Sequence, residues 1–282
     1  EAFWRDVRQG KETDIGPKEQ LCALAYVKRR FARHFESFSA TLGSGLKVHG
    51  WTLAEGMPSV SYMAAVHWLE QVVQQATPDQ ARQLLDAARG VSRSQDEWDT
   101  RIPCLQAAAG RWASDNDKRR LLSLDASVFF EHVQNNPQAN DLDKQAILEL
   151  QREVQRLRQS HATVDAHPSP FYAILLMDGD SLGSHMGNKD NQRPISDALN
   201  AFTAAVPAVV ERHNGLLIYA GGDDVLAVLP VEDALGCAAA VRELYLKSFK
   251  ASKIPTTISA AIEFAHVKMP LGKVLGDAHK LL

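Results

Sequence analysis

Two short acidic segments carry residue types suited to phosphoryl chemistry. Asp178, Gly179 and Asp180 follow the apolar run FYAILLM, and Asp223 and Asp224 follow Gly221 and Gly222 between two further apolar runs. The segments lie 223 − 178 = 45 positions apart. Carboxylates gathered at one place repel one another, and burial raises the cost of keeping them ionised. A hard divalent cation reverses that cost, because Mg²⁺ or Mn²⁺ takes oxygen ligands and shares them with substrate phosphates. Two such ions about 3.5–4 Å apart activate an attacking hydroxyl and stabilise the leaving oxygen in nucleotidyl transfer. Asp178 is the strongest candidate ligand. Adjacent side chains on an extended chain point opposite ways, so Asp223 and Asp224 need not act alike. Asp180 either binds metal or caps the next turn. A Gly-Gly-Asp-Asp turn alone is also an ordinary hairpin loop; the second acidic segment, on a separate strand, is what turn chemistry does not require.

These residues need elements to bring them together. The run 171–177 reads as a short strand buried on both faces. Pro194 and Ser196 then open a helix with Leu199, Phe202, Val206 and Val209 on one side, closed at Asn214-Gly215 with Gly in the left-handed cap. Residues 216–220 and 225–229 form a β-hairpin around the 221–224 turn. A helix over 232–250, a strand near 256–264 and a helix from 271 complete the order β, α, β-hairpin, α, β, α. Two layers, a sheet with helices on one face, are the economical packing, a ferredoxin-like layout shared by polymerase and cyclase palms. With the first and third strands adjacent at the middle of the sheet, Asp178 meets the hairpin tip.

Upstream the pattern is helical. Thr77-Pro78-Asp79 starts a helix that Gly90 ends; Met63, Val66, Leu69, Val72 and Val73 recur at helical spacing, as do Ile147, Leu150, Val154 and Leu157. The breaker His167-Pro168-Ser169-Pro170 marks the change of grammar. The division expected is 1–58, a helical domain over 59–166, and a palm over 167–282, in an α+β chain with a helical N-terminal region. That helical region has no chemistry written in its periodicity.

The 282 residues carry a net charge of 31 − 34 = −3, so no overall basic signature points to nucleic acid. The local runs Lys28-Arg29-Arg30 with Arg33, and Lys118-Arg119-Arg120, read as solvated helix faces. Cys22, Cys104 and Cys237 are far apart and form no CxxC pair, which suggests a reducing compartment and hence the cytoplasm. Cys237 reads as a small core residue. No apolar run reaches the roughly 18 residues of a membrane span. The opening Glu-Ala-Phe-Trp and the unfinished helical pattern at 271–282 suggest an interior piece of a longer protein.

The motifs LLMDGDSLG, ISDALNAF, GLLIYAGGDDVLAVLP and ISAAIEFAHVKMPL, in this order, resemble the second palm of the large subunit of type III CRISPR effector complexes, Cmr branch. LCALAYVKRRF and MPSVSYMAAVHW resemble stretches after that subunit's zinc-binding element and before its palm. The resemblance implies binding of two ATP molecules and their 3′–5′ joining into cyclic oligoadenylates, with pyrophosphate released, in a complex with other Cmr-type subunits, crRNA and target RNA. It implies catalytic, metal-binding roles for Asp178, Asp223 and Asp224, with two Mg²⁺ or Mn²⁺ ions. It implies that Gly221 and Gly222 give the phosphates room and that Gly179, Asp180 and Ser181 line the nucleotide site. Lys268 either approaches the triphosphate or is a solvated loop residue; His266 reads as a core residue.

The departures from the family pattern are specific. Where the family shows a Cys-x-x-Cys pair, this chain reads Cys22-Ala-Leu-Ala25, so no complete zinc site is expected in this stretch. No His-Asp dipeptide of an HD-type nuclease occurs, and a first palm is not evident. A diguanylate cyclase normally shows Gly-Gly-(Asp/Glu)-Glu-Phe, whereas Val225 follows Asp224 here. A templated polymerase calls for a basic channel that the charge does not support. A catalytically silent palm kept as a scaffold is the non-enzymatic rival.

Overall fold

The computed structural model describes residues 22–35, 37–43, 45, 47–49, 58–91, 102–110, 115–122, 124–138, 142–252 and 254–282. They divide into two compact units, residues 1–55 and 56–282. In the first, helix α1 (Ala23–Phe35) precedes the antiparallel pair β1 (Ser39–Thr41) and β2 (Lys47–His49). The Phe31, Phe35 and Phe38 rings stack in series at 4.7 and 6.2 Å. Cys22 is exposed. The rest of the expected zinc-element region before it, and the side chains of Lys28, Arg29, Arg30, Arg33 and Arg119, lie outside the described residues.

The second unit begins with helices α2 (Val60–Gln75), α3 (Pro78–Val91), α4 (Pro103–Ala109), α5 (Asp115–Leu122), α6 (Glu131–Gln134) and α7 (Lys144–Ser160), with a 3-10 turn at Ala126–Phe129. Thr77 and Gln80 cap α3 reciprocally, each backbone N–H donating to the other's side-chain oxygen. The helix runs through Gly90 to Val91, so glycine does not end it as the sequence suggested. The apolar stripes of α2 and α7 are buried as their spacing requires. Trp68 docks on Phe129 with ring centroids 4.8 Å apart, while its indole N–H donates to the Asp165 carbonyl. Arg120 pairs with Asp86 and Asp117, a structural engagement within the helical layer.

Strand β3 (Phe171–Gly179), helices α8 (Leu182–Met186) and α9 (Lys189–Arg212), strands β4 (Leu216–Gly221) and β5 (Asp224–Pro230), a 3-10 turn (Val231–Asp233), helix α10 (Ala234–Phe249), strand β6 (Ile258–His266) and helix α11 (Leu271–Leu281) follow. The strands pair antiparallel in the order β4-β5-β3-β6, the ferredoxin-like arrangement, with β3 central. The odd-numbered residues Ala173, Leu175 and Met177 join a core with α9 and α10, including Phe202, Val241 and Tyr245. The even-numbered Tyr172, Ile174 and Leu176 join the core of the helical region, with Val274 and Ala278 of α11. The sheet is therefore covered on both faces, a correction to the two-layer packing. The continuous apolar run of β3 already demanded it, because a strand with one wet face alternates.

Two further details differ from expectation. Helix α9 begins at Lys189, capped by the Asn188 side chain on the Asp190 N–H, and Pro194 lies inside it. Proline there removes one intrahelical bond, and its ring crowds the carbonyl four residues back. At the far end, Asn214 rather than Gly215 adopts the left-handed conformation, with φ of 54°. Gly215 instead answers to packing: a Cβ there would sit 2.8 Å from Val210 and 3.0 Å from Leu229.

Candidate metal and nucleotide site

The pairing of β3 with β5 runs from Tyr172 against Pro230 to Met177 against Val225. One step further places Asp178 across from Asp224, on the sheet face shared with α11. The two carboxyls are close enough to share a hydrogen bond, and burial, then the Asp178 charge, hold the Asp224 carboxyl above its ordinary range. Asp223 also raises it, and His279 of α11 lowers it.

Asp223 takes the other side. Gly222, with φ of 66°, turns the chain between Gly221 and Asp224, and Thr203 of α9 donates to the Gly222 carbonyl at 3.3 Å. A Cβ on Gly179 would stand 2.5 Å from the Asp223 Cβ, 2.8 Å from its Oδ2 and 2.8 Å from the Tyr245 hydroxyl. Glycine at 179 is thus what lets Asp223 lie over the end of β3. The buried Tyr245 closes the floor, its ring edge-on to Phe202 at 5.1 Å and its hydroxyl 3.2 Å from Thr256 Oγ1. Burial raises the Tyr245 phenol, and Asp223, Asp180 and Asp178 add to that.

Asp180 does not cap α8. Its carboxylate accepts from Thr257 Oγ1 at 2.5 Å and Ser259 Oγ at 2.8 Å, and its N–H donates to the Thr257 carbonyl at 2.7 Å. Thr256 Oγ1 lies 2.7 Å from the Asp180 carbonyl. These bonds fasten the loop after β3 to the start of β6. Ser181, exposed with φ of 63°, follows at the head of α8. In front of Gly221 the space is filled by the Tyr219 ring, whereas the Cβ position of Gly222 is open. Room for a phosphate at this turn therefore lies at Gly222.

Lys268 stands at the other end of β6 from Asp178, which favours the solvated loop residue over an approach to the triphosphate. Ser259 of β6 is opposite Asp178, and His266 is opposite Phe171. The 266 − 259 = 7 residues between them span about 24 Å of strand. Lys268 follows His266, donating its N–H to His266 Nδ1 at 3.1 Å. His266 itself contacts the rings of Phe171 and His132 at that distal end.

Asp178, Asp223 and Asp224 offer only oxygen, the donor type that a hard divalent cation takes, although their carboxylates do not all lie within 4.8 Å of one another. Sequence reasoning missed Tyr245, Thr256, Thr257, Ser259 and His279. They come from α10, the segment before β6, β6 itself and α11, and only tertiary packing brings them here.

Residues 171–282 match the model of the Cas10/Cmr2 second palm domain. A CRISPR system Cmr subunit Cmr2 from Pyrococcus furiosus is 37% identical over 146 residues, which make up 41% of this chain and 17% of that protein. One from Saccharolobus solfataricus is 49% identical over 41 residues, 14% of this chain and 4% of that protein. The chain thus spans under a fifth of the curated relatives it matches. A chain of a type III-B Cmr-beta complex, from an apo-state cryo-EM structure, is similar in fold over 99% of this chain and 38% of its own length, with a TM-score of 0.55 and 16% identity. Residues 171–282 are thus similar to the second palm domain of Cas10/Cmr2 proteins.

Proposed function

We propose that this palm binds ATP with two divalent metal ions and joins it into cyclic oligoadenylates, as part of a type III-B effector complex with other Cmr subunits, crRNA and target RNA. The observation that carries the reading is the convergence of Asp178, Asp224 and Asp223 at one end of the central strand pair, with Gly179 shaped to admit Asp223. Bound Mg²⁺ or Mn²⁺ would activate a 3′-hydroxyl and neutralise charge on the α-phosphate and the departing pyrophosphate.

The chain's own residues divide the remaining work. Asp178 and Asp224 present oxygens on one face of the sheet end, and Asp223 presents its own from around the hairpin. The 3′-hydroxyl attacks the α-phosphorus, the bond to the β-phosphate oxygen breaks, and the hydroxyl proton passes to a nearby base or to solvent. Asp180, with both oxygens engaged by Thr257 and Ser259, holds the loop in place. Gly222 leaves the hairpin tip open to phosphate. Tyr245 excludes water from beneath Gly179.

Metal-dependent ATP binding to the effector complex, compared with Asp178→Ala, tests the site. Loss of binding in the variant is expected. Equal binding with and without Asp178 would favour a palm retained as a scaffold.

A further inference from the structure

The distal end of the sheet holds a second cluster, of different chemistry. His67 and Glu70 lie three residues apart on α2, the spacing that puts both on one helix face. Cys104 stands at the second position of α4, after Pro103. One ligating atom from each lies within 4.8 Å of the other two, and all three residues are half-buried. His67 Nδ1 is 2.9 Å from Glu70 Oε2.

The surroundings hold these atoms in place. His67 Nε2 is 2.7 Å from Asp233 Oδ2, and that same oxygen accepts from Asn214 Nδ2 at 3.1 Å. Asn214 Oδ1 accepts the Cys104 backbone N–H at 3.0 Å. A carboxylate on the far ring nitrogen of a ligating histidine fixes its tautomer and aims the near nitrogen at the metal. Here one buried asparagine braces both that carboxylate and the cysteine.

We propose that His67 Nδ1, a Glu70 oxygen and Cys104 Sγ form a three-ligand site for a zinc-class divalent ion, oriented by Asp233 and Asn214. A nitrogen, oxygen and sulfur set suits a borderline cation such as Zn²⁺ and not the all-oxygen preference of Mg²⁺. Binding replaces the ring proton on Nδ1 and the thiol proton, and both leave to solvent. The ligands then carry one negative charge on Glu70 and one on Cys104, balancing the ion, and water fills the fourth position. Such an ion ties α2 to α4 where both meet the end of α9 and the 3-10 turn Val231–Asp233. It uses none of the residues around Cys22, and it is a different centre from the palm aspartates.

The test is a cobalt titration of the 282-residue chain after removal of metal with a chelator. One equivalent of Co²⁺ is expected to produce a thiolate-to-cobalt charge-transfer band in the near ultraviolet, bleached by Zn²⁺. Cys104→Ser should abolish the band, while Cys22→Ser and Cys237→Ser should keep it. Asp233→Asn should retain the band but weaken cobalt binding by about 10–100-fold. Far-ultraviolet circular dichroism reports whether each variant folds. Should Cys104→Ser fail to fold, Glu70→Gln replaces it, with the band retained and affinity reduced. Absence of the band in the unmodified chain, or its survival in folded Cys104→Ser, would overturn the proposal. Because the readout is a thiolate, neither result bears on the aspartate site.

Discussion

The two ends of the palm sheet treat charge in opposite ways. At the Asp178 end, burial and the charges of Asp178 and Asp223 hold Asp224 above its ordinary range, and His279 opposes them. At the distal end, His67 sits between Asp233 and Glu70, and Asn214 satisfies the same aspartate. The Asp233 hydrogen bond, with help from Glu70 and against the effect of burial, raises His67 to about 9. One end stores unfavourable electrostatics that a cation would relieve; the other has its charges matched by the protein itself.

The comparison is most sharply broken at Gly179. A methyl group there meets the Asp223 Cβ, its carboxylate and the Tyr245 hydroxyl. Gly179→Ala is expected to displace Asp223 and cut ATP conversion by about 100-fold or more, since misplacement by roughly 1 Å costs that much. It should also lose about 1–3 kcal/mol of stability through overpacking. Steady-state kinetics of the complex and denaturant unfolding of the chain measure the two effects.

At the distal end the expected effect is on stability. A histidine whose folded-state value is raised contributes fully below its ordinary 6.5 and loses that contribution as pH climbs through about 9. With chelator present, the wild type should lose up to about 3 kcal/mol across that window. His67→Gln should show a flatter profile. Unfolding midpoints from pH 6 to 10 provide the check.

How much of this was legible beforehand differs between the same two ends. Asp178, Asp223 and Asp224 were candidates because a second acidic segment on a separate strand is more than a hairpin turn requires, and the β-α-ββ-α-β order was readable from apolar runs and breakers. The role of Gly179 was not, because it depends on which way Asp223 turns in a tight hairpin. Asp180 looked equivalent to Asp178 in sequence, and strand alternation puts both on one face; the hydrogen bonds from Thr257 and Ser259 are what set Asp180 apart. The His67 cluster was invisible, since its members come from positions 67, 70, 104, 214 and 233 and meet only through tertiary packing. The position of Lys268 was illegible for a related reason: the strand direction of β6, not proximity along the chain, decides which end it reaches.

Smaller effects refine the contrast. Asp224→Asn removes one of the facing carboxylates, so in metal-free buffer at neutral pH it should raise Tm. A raised carboxyl costs stability above its folded-state value, and that cost fades as pH falls through the carboxylate range. Relief of an exposed pair amounts to at most about 1 kcal/mol, or roughly 2–4 °C for a domain of this size. Differential scanning calorimetry with and without Mg²⁺ should show the advantage shrinking when the ion is added. Lys268→Ala, at the distal end, should change the affinity of the complex for ATP by less than about twofold. A larger loss by calorimetric titration would bring that lysine back to the nucleotide.

The most direct measurement is ATP conversion by the assembled effector complex, with Mg²⁺ or Mn²⁺ and target RNA, followed by mass spectrometry. The wild type should yield cyclic oligoadenylates, and Asp223→Ala with Asp224→Ala should yield none while RNA cleavage by the complex continues. No product from the wild type under conditions where RNA is still cleaved, or equal product from the double variant, would contradict the assignment of the acidic end as a synthase.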